Sequence, residues 1–107
     1  MYERCCSIGP DITAAESIED PHDLEMSMEI VRDRETVYED STSTSKMVRS
    51  CEELISYFTR HNSVPQTAIL LTGTSLVPSE EFTLTENDHV HTAIEGIGRL
   101  TNAVSCV

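Results

Sequence analysis

Leu24, Met26, Met28 and Ile30 alternate with Asp23, Glu25, Ser27 and Glu29. Successive side chains of a strand point to opposite faces, so this period of two predicts a half-buried strand with the four apolar residues toward a core. Asp33-Arg34 then reads as the turn of a hairpin, with Glu35 to Glu39 returning. Ser41-Thr42-Ser43-Thr44-Ser45 is low in complexity, and its composition predicts a flexible loop. Beyond it the period changes. Cys51, Leu54, Ile55 and Phe58 fall at helical spacing behind Ser50-Cys51-Glu52-Glu53, a capping box in which the serine oxygen takes the third helical amide and Glu53 reaches back. A helix is expected there with one stripe on a core, closed by Asn62 and Pro65.

The flanks are read in the same way. Cys5-Cys6-Ser7-Ile8-Gly9-Pro10-Asp11-Ile12 is a short apolar stretch broken by Gly-Pro, predicting a strand that enters a turn. Residues 14–23 are acidic and contain Pro21, predicting a loop. Thr67-Ala68-Ile69-Leu70-Leu71 is a continuous apolar run, the pattern of a strand buried on both faces. Val90, Thr92 and Ile94 predict a second alternating strand, Gly96-Ile97-Gly98 a tight turn, and Leu100, Asn102 and Val104 a last strand. The fold class that results is α+β and mostly β, with one well-defined helix in a single domain and no internal repeat.

Composition narrows the picture. Of the 107 residues 38% are apolar, with no Trp and two Phe, so the core must be aliphatic and thin, and the chain is expected to pack against something else. Nineteen acidic residues against seven basic ones give a formal net charge of −12. Such a field repels phosphate backbones and argues against nucleic acid as a partner. Lys46 is the single lysine, and an acid-rich, lysine-poor surface suits a halophilic cytoplasm. The cysteines Cys5, Cys6, Cys51 and Cys106 form no CxxC pair, and no signal peptide or long apolar run is present. The chain therefore reads as cytoplasmic and reduced, with no membrane partner.

Few side chains suggest chemistry. His89 and His91 share a strand face at a spacing that could ligate a metal, but two histidines fall short of the usual ligand count, and the preceding Glu86-Asn87-Asp88 reads as solvated. Cys5 and Cys6 read as buried small hydrophobes and not as nucleophiles, because no base can be paired with them by spacing. Glu25 and Glu29 read as solvated charges on the polar face of their strand. Thr72-Gly73-Thr74 is different: it brings two hydroxyls and a backbone free of a side chain to the carboxyl end of a strand. There amides and hydroxyls can hold an anion, although Gly and Thr also mark ordinary turns.

Five segments, in order, carry a resemblance: Cys6-Ser7-Ile8-Gly9-Pro10, Asp20-Pro21-His22-Asp23-Leu24-Glu25, Ser43-Thr44-Ser45-Lys46-Met47, Leu70-Leu71-Thr72-Gly73-Thr74, and Glu95-Gly96-Ile97-Gly98-Arg99-Leu100-Thr101-Asn102. With them the chain resembles, over essentially its whole length, the C-terminal part of the fumarylacetoacetate hydrolase family. Val77-Pro78 and Glu80-Glu81-Phe82-Thr83-Leu84 make it similar to the family's 2-keto-3-deoxy-pentonate dehydratase branch. The resemblance implies a roll of mixed β-sheets around a central site and Mg2+ on a trio of carboxylates, stabilising an enolate of a 2-keto acid. It also implies a homo-oligomeric intact enzyme, and substrate-carboxylate binding by Gly73 and Thr74, with Thr72 beside them.

The family's metal carboxylates and active-site lysine lie N-terminal to the Cys-Ser-Ile-Gly-Pro segment. No residue of this chain matches them, so no catalytic or metal-binding residue is assigned. The expectation is a partial catalytic domain over residues 1–107, inactive by itself. It would belong to an enzyme that dehydrates a 2-keto-3-deoxy-pentonate to a 2,5-dioxo acid. An acylpyruvate or fumarylacetoacetate-type C–C hydrolase and a non-catalytic binding module are the alternatives.

Overall fold

The strict alternation at residues 24–30 becomes one of the two inner strands of a four-stranded sheet. A computed structural model describes residues 3–106, in which β1 (Glu25–Arg32), β2 (Glu35–Ser43), β3 (His89–Ile94) and β4 (Gly98–Ala103) form one antiparallel sheet in the order β2-β1-β3-β4. β1 and β2 meet at a two-residue loop, Arg32 opposite Glu35, with Asp33 and Arg34 at φ 50° and 67°. Positive φ at both central residues is the geometry whose twist matches the flanking strands, so the expected hairpin forms without the usual Asn-Gly. The register slips between Ile30 and Val31, which face Tyr38 and Thr36 and leave Val37 as an extra residue in β2. β3 and β4 join through Glu95-Gly96-Ile97, where Gly96 takes φ +77°.

Register decides what each face carries, because residues directly opposite share a face. Met26, Met28 and Ile30 lie opposite Ile94, Thr92 and Val90, and Leu100 opposite Thr92 continues that row. The other face carries Glu39, Glu29, His91 and Thr101. On the apolar side, residues of the 44–49 and 72–75 segments line one cavity with Met26 and Ile94, and the Phe82 ring lies 6.1 Å from that of Tyr38. The core is as thin as the composition implied: among the described residues only Ile30 and Leu76 are buried hydrophobics. The radius of gyration is 15.6 Å, against about 13 Å for a self-contained domain of this length.

The helix α1 (Cys51–Thr59) starts where the capping box placed it. Glu53 N–H donates to Ser50 Oγ at 3.1 Å, and Cys51 N–H donates to His22 Nε2 at 3.0 Å, which ties the 20–24 loop to the helix start. Asn62 closes the other end by donating to the Phe58 carbonyl. The helix stripe does not reach a core, however: Ile55 and Phe58 stay exposed.

Four further expectations are corrected. The Ser41–Ser45 run is ordered, being the end of β2 followed by a 3-10 turn (Thr44–Lys46). Thr44 fixes it by donating its N–H to the Leu24 carbonyl and accepting the Leu24 N–H on Oγ1, both at 2.9 Å. Residues 5–12 and 67–71 form no strand, since no described segment offers either a ladder partner, and Ile8, Ile12, Ile69 and Leu71 are exposed. Cys5 and Cys6 are likewise exposed instead of buried, and all four cysteines are free. The expected loop at residues 14–23 does form, with one short 3-10 turn at Ala15–Ser17.

Asp88 departs furthest from its reading as solvated: it is fully buried. Arg32 forks onto it, Nε to Oδ1 at 2.9 Å and Nη2 to Oδ2 at 2.8 Å, while the Thr85 amide and hydroxyl donate to the same carboxylate. Arg32 Nη2 also donates to the Thr83 carbonyl, and its guanidinium lies 5.6 Å from the Phe82 ring. A buried carboxylate is tolerated only with such a full set of donors. These bonds, Arg32's first, hold Asp88 well below the usual carboxylate range against the opposing effect of burial. The pair clamps the 82–88 segment onto β1.

Candidate functional site

Thr72-Gly73-Thr74 lies over the end of the sheet where β1 begins and β3 ends. It lines a solvent-open cavity of about 580 Å³ whose floor includes Met26 and Ile94 and whose far wall includes Leu54 of α1. Gly73 adopts φ +83°, a backbone conformation that L side chains rarely enter, and a Cβ there would meet no atom within 4 Å. The glycine thus serves the turn of the chain and leaves its main chain open to a ligand. Thr74 Oγ1 accepts the Leu76 N–H at 3.0 Å, which leaves the hydroxyl proton free to donate elsewhere. Ser75 Oγ donates to Thr42 Oγ1 at 3.3 Å and tethers the turn to β2. Thr72, Gly73 and Thr74 are all exposed, as a site open to a small molecule requires.

Lys46 and Arg49 line the same cavity, and no Asp or Glu does. Neither cation was singled out by sequence. Lys46 sits in one of the quoted segments and is the only lysine, but nothing in its spacing ties it to residues 72–74. The Ser43 cap and the Thr44–Leu24 bonds fix Lys46's turn at the sheet's end, and the Ser75–Thr42 bond holds residues 72–74 next to it.

The other candidates remain apart. His89 and His91 stack at 6.5 Å between ring centroids on the opposite face, and His91 Nδ1 lies 2.8 Å from Thr101 Oγ1. Glu25 is exposed, whereas Glu29 is half-buried, accepting from Thr36 Oγ1 at 2.7 Å and facing Arg99 at 4.0 Å. Among the described residues no group of three or more His, Cys, Asp or Glu could hold a metal ion. The donor set that magnesium needs is therefore not one these residues supply.

The family profile described as fumarylacetoacetate (FAA) hydrolase C-terminal matches residues 1–105. The chain is 63% identical over 107 residues to a probable 2-keto-3-deoxyxylonate dehydratase of Haloferax volcanii, covering all of this chain and 37% of that protein. It is 38% identical over 104 residues to a 2-dehydro-3-deoxy-D-arabinonate dehydratase of Saccharolobus solfataricus, covering 97% of this chain and 35% of that one. A solved 2-keto-3-deoxy-D-arabinonate dehydratase complexed with magnesium and 2,5-dioxopentanoate superposes with a TM-score of 0.93 at 38% identity, over 95% of this chain and 36% of that one. The chain spans about a third of the length of each. The mostly-β fold with one helix is thus the fold of these dehydratases' C-terminal part.

Proposed function

The chain belongs to the fumarylacetoacetate hydrolase family, and on that footing we propose that it is the substrate-clamping C-terminal part of a magnesium-dependent dehydratase of 2-keto-3-deoxy-pentonates. The observation that carries this reading is a Thr-Gly-Thr turn over a carboxylate-free cavity, in a chain whose relatives are sugar-acid dehydratases. The hydroxyl of Thr74 and the open main chain at Gly73 hold the carboxylate of the 2-keto acid, with Thr72 beside them. The reaction removes water from the sugar acid to give a 2,5-dioxo acid.

The chain's own part is to bind and orient. Its described residues offer no ligand set for the cation, so we assign them no chemical step, and the chain by itself turns over no substrate. It is a partial catalytic domain. Exposed Ile8, Ile12, Val48, Ile69 and Leu71 suit burial against the rest of a longer protein or a second copy in a homo-oligomer. The free cysteines suit a reducing cytoplasm.

A chimaera tests the reading. Residues 1–107 replace the matching segment of the Haloferax volcanii protein, and the purified product is assayed with magnesium on 2-keto-3-deoxyxylonate. Turnover comparable with that parent is expected, with none from residues 1–107 alone. An inactive, folded chimaera would contradict the assignment.

A further inference from the structure

In a protein with 19 acidic and seven basic residues, a surface cavity without a single carboxylate is an electrostatic exception. Two of the seven cations, Lys46 and Arg49, are on its wall. Of the other five, Arg32 is bound to Asp88, Arg99 faces Glu29 and Arg60 lies over the Tyr57 ring, and neither Arg4 nor Arg34 lines the cavity. Among the described residues Lys46 and Arg49 form no salt bridge. The backbone carrying Lys46 is pinned at both ends of its 3-10 turn. Arg49 directly precedes the capped start of α1. Two cations without a salt bridge among the described residues, lining the same cavity as hydroxyl donors and an open glycine main chain, make a site for an anion.

We propose that Lys46 and Arg49 form the cationic half of the carboxylate subsite whose hydroxyl half is Thr72–Thr74, and that they make the cavity selective for the anionic end of a substrate over its neutral analogues. The proposal rests on the reading of the cavity as the 2-keto-acid site and adds the residues that set its charge selectivity. Lys46 is the stronger determinant, because Thr44 bonds its turn to Leu24, the residue that precedes β1. An ammonium beside a carboxylate in a half-open site also survives high salt better than a distant charge. At molar salt screening acts over about 3 Å, so contact pairs persist while long-range attraction is lost.

The test uses the full-length chimaera carrying Lys46→Gln, Arg49→Gln, the double substitution and Lys46→Arg. Each is assayed on 2-keto-3-deoxyxylonate, and binding of the corresponding carboxamide is measured as competition. Lys46→Gln should raise KM about tenfold, equivalent to about 1.4 kcal/mol, with kcat within a factor of two. The double variant should raise it further, and Lys46→Arg should restore most of the loss. The carboxamide should bind wild type and variants alike. A variant that merely misfolds would lower kcat and weaken carboxamide binding as well. An active chimaera whose KM ignores both substitutions overturns the proposal and leaves the dehydratase reading standing. If the chimaera is inactive, pyruvate is titrated into the 107-residue chain and followed by NMR. Shifts at Thr72–Ser75 that vanish in the double variant uphold the anion subsite without the dehydratase reading. No shifts there overturn it.

Discussion

Thr74→Val separates a substrate-binding threonine from a turn residue, because the structure gives its hydroxyl two separable tasks. As an acceptor it holds the Leu76 N–H at 3.0 Å, and Leu76 is one of the two buried hydrophobics among the described residues. As a donor it has its proton free for the substrate carboxylate. Valine keeps the shape and removes both. Losing the acceptor leaves a part-buried amide unpaired, which costs about 1–3 kcal/mol of stability. At about 2–4 °C per kcal/mol for a protein as long as the chimaera, the midpoint of thermal unfolding should still fall measurably. Losing the donor removes a hydrogen bond to a charged group, about 1.5–3 kcal/mol, or roughly ten- to a hundredfold in KM. Thr74→Ser restores both groups and should recover both properties. Thermal melts and steady-state kinetics on the same chimaera preparations measure the two effects side by side. A Thr74→Val protein that melts early but binds substrate normally would refute the binding role and leave Thr74 as a turn residue.

Two further outcomes are expected. Asp88 is held below the usual carboxylate range in the folded state, so its contribution to stability is fully present above about pH 4, the unfolded value, and is lost as pH falls through the lower folded value. Melts between pH 5 and 2 should show that loss, and Asp88→Asn should flatten it; an unchanged slope would show that the Arg32 pair does not govern acid unfolding. With a net charge of −12 over a thin core, the unfolding midpoint should rise from low to molar salt as self-repulsion is screened; equal midpoints in a circular-dichroism series would rule out the halophilic interpretation.

Where neighbouring residues decide the structure, the sequence is a good guide. Strict alternation located β1, Asp33-Arg34 its hairpin, and Ser50 with Glu53 the start of α1. Long-range partners were invisible. Asp88 reads as solvated beside Glu86 and Asn87 until Arg32, 56 residues away, forks onto it. The Ser/Thr run reads as a flexible loop until Thr44 bonds Leu24, 20 residues back. The 67–71 run has the composition of a buried strand, but a strand needs a ladder, and no described segment supplies one. At the site, Thr72-Gly73-Thr74 was found through its resemblance to a family motif. Lys46 and Arg49 were not, because a cavity's charge depends on which distant turns the sheet brings together.

Whether the Thr-Gly-Thr turn holds the carboxylate of a 2-keto acid can be seen in a crystal structure of the chimaera with magnesium and 2,5-dioxopentanoate. The ligand's carboxylate is expected on Thr74 Oγ1, at the roughly 2.5–3.0 Å of an O–H···O bond, with the Gly73 main chain alongside. A carboxylate bound elsewhere, with Thr74 bonded only to Leu76, would contradict the binding role.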